Sequence, residues 1–202
     1  MPDVDCRVLE VFRYLRAVQK ESSLLEVQYT SVFEYMLQFH LACVAVKPMG
    51  PRAMIYSAAA VSDFYIPYHQ MGEHKIQSAA GDPHIPLTNT PKMLYMVTHE
   101  WAPEAYTVSF KLETDTAILL QKASFAIVRY NVDCVVANIL MTRYQEIRLV
   151  FNKKSAKNEK MSYSGAEQND QAAVELIVKK DDHPLESQFV PILVKAHSLY
   201  LS

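Results

Sequence analysis

Glycine is scarce in this chain: Gly50, Gly72, Gly81 and Gly165 are the only four in 202 residues. Their spacing builds neither a GxGxxG turn nor a phosphate-cradling loop. A nicotinamide-type dinucleotide enzyme is therefore a poor reading of the chain. Cysteine is sparse and odd in number, with Cys6, Cys43 and Cys134 and no CxxC. Cys43 and Cys134 stand in apolar surroundings. That argues for buried free thiols in a reducing compartment, the cytoplasm, rather than a disulfide framework. No apolar run is long enough to span a bilayer. The opening MPDVDCRVLEVFRYLR carries acids early and lacks the apolar core of a signal peptide. A net charge of −2 gives no footprint for nucleic acid or an anionic membrane. His69, His74 and His84 share one loop without compact ligand spacing, so no metal site is expected among them.

What is present is an ordinary globular composition, 50% hydrophobic and 21% charged, with enough chain for one domain over residues 1–202. Val8, Leu9, Phe12 and Leu15 recur at helical spacing within Asp5–Lys20. Leu24–Tyr29 reads as a short strand. Ser31 followed by Glu34 makes a capping box, which opens a helix over Val32–Val46 that Pro48, Gly50 and Pro51 stop. Ala53–Ala59 reads as a strand. Phe64–Asn89 has no sustained period and is long for a connection, the usual form of a functional flap or arm. Thr90-Pro91 should cap a short helix, Lys92–Val97. Strands are expected at Ala105–Leu112, Asp133–Ala137, Glu146–Phe151 and Ala172–Lys179. Asp115 should cap a helix over Thr116–Tyr130. A closing helix is expected over Leu185–His197, kinked or delayed by Pro191. Asn152–Asp170 reads as a mobile polar loop with solvated lysines. Alternating strands and helices imply βαβ units around a mostly parallel sheet.

Chemistry concentrates where strands end. AMIYSAAAVSDFYIP, residues 53–67, breaks from a buried strand into small residues and then delivers Asp63. Phe110 lies near the end of a second strand and Asn138 at the end of a third. In an open parallel sheet, ligands bind outside the carboxyl ends of the strands. These three ends should therefore converge on one edge. Each residue also has a plain structural role open to it: a turn cap for Asp63, core for Phe110, a turn former for Asn138. Lys75, in EHKIQS, reads equally as a solvated charge.

Five motifs occur in one order: AMIYSAAAVSDFYIP, EHKIQS, PKML, WAPEAYTVSFKLETD and VVANIL. Together they resemble eukaryotic phosphopantothenate–cysteine ligase, with similarity from about Val11 to the C-terminus and weakest over Asn152–Asp170. The resemblance implies a Rossmann-like three-layer α/β fold with a flap over 64–89, and a homodimer. It implies ligation of phosphopantothenate to cysteine through an acyl-nucleotide intermediate, the second step of coenzyme A synthesis. ATP is implied ahead of CTP, because FKLET stands where bacterial members have an FAAET-like form. Mg²⁺ would accompany the triphosphate. Residue by residue, Ala59, Ala60 and Asp63 would contact phosphopantothenate, Phe110 and Asn138 the nucleotide, and Lys75 would act on the acyl nucleotide from the flap.

The chain also departs from that family. The first strand, its glycine-rich phosphate turn and the following Asn/Ser/Gly loop with an Arg have no counterpart here. The expectation is an N-terminally truncated fold that is a poor ligase alone, with pairing to a full-length ligase as the alternative role.

Overall fold

The protein is described from a computed structural model that covers residues 13, 16–17, 23–72, 74, 84–162, 172–180 and 183–202. It divides into two compact units, Met1–Gln38 and Phe39–Ser202. Helix α1 is Val32–Val46.

In the first unit the capping box forms as the sequence dictates. The Glu34 amide donates to Ser31 Oγ at 3.2 Å, and the Ser31 amide donates back to Glu34 Oε2 at 3.2 Å. The Thr30 amide and hydroxyl also donate to Glu34 Oε2, at 2.7 and 2.8 Å. These bonds, the Thr30 amide first, hold the carboxyl below its ordinary range. The expected strand at Leu24–Tyr29 does not form. Leu24, Leu25, Val27 and Tyr29 are exposed, and a strand without a ladder partner leaves its backbone groups unpaired. The helix expected over 5–20 lies outside the described residues, except that Arg13, Arg16 and Ala17 are helical.

The second unit is built on a five-stranded sheet. Its strands are β1 (Met54–Ser57), β4 (Tyr106–Glu113), β5 (Cys134–Ile139), β6 (Glu146–Asn152) and β7 (Ala172–Val178), in that spatial order. β1 runs parallel to β4 and β4 to β5, while β6 is antiparallel to both β5 and β7. Four strands thus share one direction and only β6 is reversed, a mostly parallel sheet. A pair of two-residue strands, β2 (Phe64–Tyr65) and β3 (Thr88–Asn89), forms a separate antiparallel ribbon.

Period-two alternation sends successive residues to opposite faces. On one face Cys134, Val136, Ile147, Leu149 and Phe151 pack with Leu185, Phe189, Leu193 and Ala196. The last three belong to helix α4, Glu186–Leu201. On the other face Val135, Ala137, Ile139 and Val150 pack with Leu119, Ala123 and Ile127 of helix α3, Thr116–Tyr130. The three layers follow from that alternation. A third cluster joins Cys43, Ala53, Ile55, Val97, Ala102 and Ala105, with Trp101 against it. Both described cysteines are buried free thiols; burial pushes Cys43 up to about 11 and Cys134 well above its ordinary value.

Three further expectations need correction. Helix α4 starts at Glu186 and continues through Pro191 to Leu201. Burial of Phe189, Leu193 and Ala196 outweighs the backbone bond that Pro191 forfeits. Thr90 does not cap a helix. Its hydroxyl donates to the Ser62 carbonyl at 2.7 Å, and helix α2 is a single turn, Met93–Met96, that widens into a π-turn over Val97–Trp101. In the polar stretch after β6, Lys153, Lys154 and Lys160 are exposed as expected, but Lys157 and Asn158 are anchored. Asn158 is buried, donating to the Asp133 and Asn152 carbonyls at 2.8 and 3.0 Å, and Lys157 reaches Asp133 Oδ2 at 3.4 Å. Residues 163–170 lie outside the described residues.

Candidate functional site

The carboxyl ends of β1, β4 and β5 lie side by side. Ser57 pairs with Ser109, Phe110 with Val136 and Leu112 with Asn138. Ala59 and Ala60 leave the end of β1 as exposed, irregular backbone. Asp63 follows, just before β2. Phe110 is half-buried, and its ring meets the Tyr56 ring edge-on at 5.0 Å between centroids, across β1 and β4. Burial first, and the Glu186 charge after it, push the Tyr56 phenol up to about 12, so it stays neutral. Asn138 is half-buried on β5, level with Leu112. The structure thus brings Ala59, Ala60, Asp63, Phe110 and Asn138 to one sheet edge. Lys75 lies outside the described residues.

Charge at this edge is organised in pairs. Lys92 Nζ donates to Asp63 Oδ1 at 2.8 Å. That bond and the ammonium charge hold the Asp63 carboxyl below its ordinary range, with a smaller contribution from Lys111 on β4. Glu113, at the end of β4, takes Lys122 of α3 at 2.9 Å and Lys111 at 3.1 Å. Burial pushes the Glu113 carboxyl up, and the two lysines more than offset it, leaving it below its ordinary range. Asp115 caps α3 through the Ala117 amide at 2.8 Å, as its position predicts. The three lysines and the carboxylates of Asp63, Glu113 and Asp115 balance at this edge, three charges of each sign. Among the described residues, no three His, Cys, Asp or Glu side chains cluster to hold a metal ion.

Sequence reasoning missed the lysine partners. Lys92 is visible in PKML only as a helix-initial residue, and its partner stands 29 positions earlier. No local pattern links such a pair. The Lys111–Glu113–Lys122 group carried a partial signal: residues two apart on a strand share a face, and Lys122 lies on the helix that follows.

A mostly parallel sheet between two helical layers defines a Rossmann-like three-layer α/β protein. The chain belongs to the family of the DNA/pantothenate metabolism flavoprotein C-terminal domain, whose model matches residues 38–180. It is 38% identical over 188 residues to phosphopantothenate–cysteine ligase 1 of Oryza sativa subsp. japonica, covering 93% of this chain and 53% of that protein. It is 40% identical over 148 residues to the Homo sapiens phosphopantothenate–cysteine ligase, covering 73% of this chain and 48% of that protein. Among solved structures, the Cab2 mutant H337A in complex with phosphopantothenate-cysteine matches 100% of this chain and 62% of its own, with a TM-score of 0.82 and 28% identity. The chain spans about half the length of the curated relatives it matches.

Proposed function

We propose that this chain carries the substrate floor of a phosphopantothenate–cysteine ligase. The observation that carries the reading is the alignment of Ala59–Asp63, Phe110 and Asn138 on adjacent carboxyl ends of β1, β4 and β5. Small side chains at 58–60 let a ligand approach the backbone, and Asp63 supplies an acceptor for hydroxyl or amide donors of the pantothenate arm. Phe110 offers an aromatic surface to a nucleotide, and Asn138 an amide that both donates and accepts. Lys75 follows charge on the acyl nucleotide from the flap.

The chemistry balances with ATP as the activating co-substrate. A carboxylate oxygen of phosphopantothenate attacks the α-phosphorus and pyrophosphate leaves. The cysteine amine then attacks the acyl carbon, loses a proton, and nucleoside monophosphate leaves. The protein's part is alignment and charge compensation. Mg²⁺ travels with the triphosphate as part of that substrate. A homodimer and a cytoplasmic location complete the reading.

The test is calorimetric titration of the chain with phosphopantothenate, paired with pyrophosphate release in the presence of ATP, CTP and cysteine. Saturable binding that Asp63→Asn weakens about tenfold is expected from losing one ligand-facing charged acceptor. Absence of binding, or an unchanged affinity in Asp63→Asn, removes Asp63 from the floor. Faster pyrophosphate release with CTP than with ATP overturns the nucleotide assignment.

A further inference from the structure

Lys92 and Asp63 meet because the two ends of the long 64–89 connection are tied together beside them. The Thr90 amide donates to the Asp63 carbonyl at 2.9 Å. The Thr90 hydroxyl donates to the Ser62 carbonyl at 2.7 Å. Immediately beyond, β2 pairs with β3 through Phe64–Asn89 and Tyr65–Thr88. Thr90 itself is buried. The ammonium of Lys92 therefore reaches the carboxylate from a fixed backbone base, and little backbone freedom remains to be lost when the pair forms.

The bond is selective within the carboxylate. Lys92 takes Oδ1, and Oδ2 has no partner among the described residues. The Asp63 side chain is 74% exposed and that of Lys92 45%, so a ligand has access to both. Lys111 is the other cation that Asp63 senses, at a distance.

We propose that Lys92 is a positioning residue for Asp63: it occupies Oδ1, fixes the carboxylate plane and leaves Oδ2 as the acceptor presented to a hydroxyl or amide donor of the ligand. This inference rests on the substrate-floor reading above. Lys92 acts through Asp63 and has no separate contact with the ligand.

A double-mutant cycle tests it, with phosphopantothenate as the probe and thermal melting as the check on folding. Lys92→Gln should weaken binding about fivefold, the scale of an exposed ion pair. Lys92→Arg should restore most of the affinity, because it keeps a donor and the charge. In an Asp63→Asn background, Lys92→Gln should change nothing further. An equal loss in both backgrounds overturns the inference, since Lys92 would then act independently of Asp63. A second readout needs no ligand: carbon-detected NMR titration of the Asp63 carboxyl. Lys92→Gln should move that titration up towards the ordinary carboxylate value. An unmoved titration overturns the inference whatever the ligand does. Absence of binding by the unmodified chain counts against the floor reading alone, and the titration still decides the Lys92–Asp63 coupling.

Discussion

Asp133 shows how a single residue can be read in one dimension and placed only in three. The sequence marks it as the first residue of a buried strand. The structure buries its carboxylate at 1% exposure and surrounds it with donors: the Thr107 amide at 2.7 Å, Ser155 Oγ at 2.6 Å and Lys157 Nζ at 3.4 Å. Burial pushes its carboxyl above the ordinary range, and Lys157, Ser155 and Thr107 only partly pull it back. As pH rises just above the ordinary carboxylate range, the unfolded chain therefore ionises first. Folded stability falls across that window and levels once the buried group has ionised. Lys157→Met removes the only side-chain cation bonded to Asp133 among the described residues. It should destabilise the fold by about 3 kcal/mol at pH 8, the lower end for breaking a buried pair. The loss should be smaller at acid pH, in the ordinary carboxylate range, because protonating Asp133 removes the unpaired charge. Urea unfolding at the two pH values measures this, and equal losses would refute it. Gly50 belongs to the same scale. It sits at φ 55°, and a Cβ there would lie 2.7 Å from Glu104 Oε2. Gly50→Ala should cost about 1–2 kcal/mol in the same unfolding assay.

Elements followed local rules wherever those rules were strong. The Ser31–Glu34 box, the Asp115 cap and the αL residue Asn131 mark helix ends that the chain can write locally. The β4, β5, β6 and β7 ranges match the alternating or continuous apolar runs that announce them. Rules failed where a distant partner decided. Leu24–Tyr29 has strand composition but no ladder, and Thr90 spends its hydroxyl on Ser62 instead of a helix end. Helix α4 carries Pro191 because its apolar face is buried over Phe189, Leu193 and Ala196. Pro191 is itself exposed, so its cost is the backbone hydrogen bond it cannot donate. Pro191→Ala restores a backbone donor one turn into the helix and should raise stability by about 1 kcal/mol, after allowing for the freer unfolded chain. A thermal melt shifted down instead would show that the proline is favoured where it stands.

At the scale of the molecule, the sheet has a clear centre. β5 is paired on both sides and its residues Cys134–Ala137 are fully buried between two helical layers. β1 pairs, among the described residues, with β4 alone. Native-state hydrogen exchange should therefore find the β5 amides slowest, near the global opening limit, and the β1 amides measurably faster. A β1 that exchanges as slowly as β5 would contradict this ranking. The same arrangement sets the site: β1, β4 and β5 are neighbours and parallel, so their carboxyl ends share one edge.

The sequence by itself determined the residue classes of that edge, the alternation that makes three layers, and the order of motifs shared with the ligases. Those features are local or repeat along the chain, so a one-dimensional pattern can hold them. Tertiary structure decided which groups meet. Lys92 finds Asp63 across the 64–89 connection, Lys157 finds Asp133 across β6, and Pro191 is tolerated inside a helix. Ion pairs and packing energies depend on distance in space, and the chain brings those distances about only by folding.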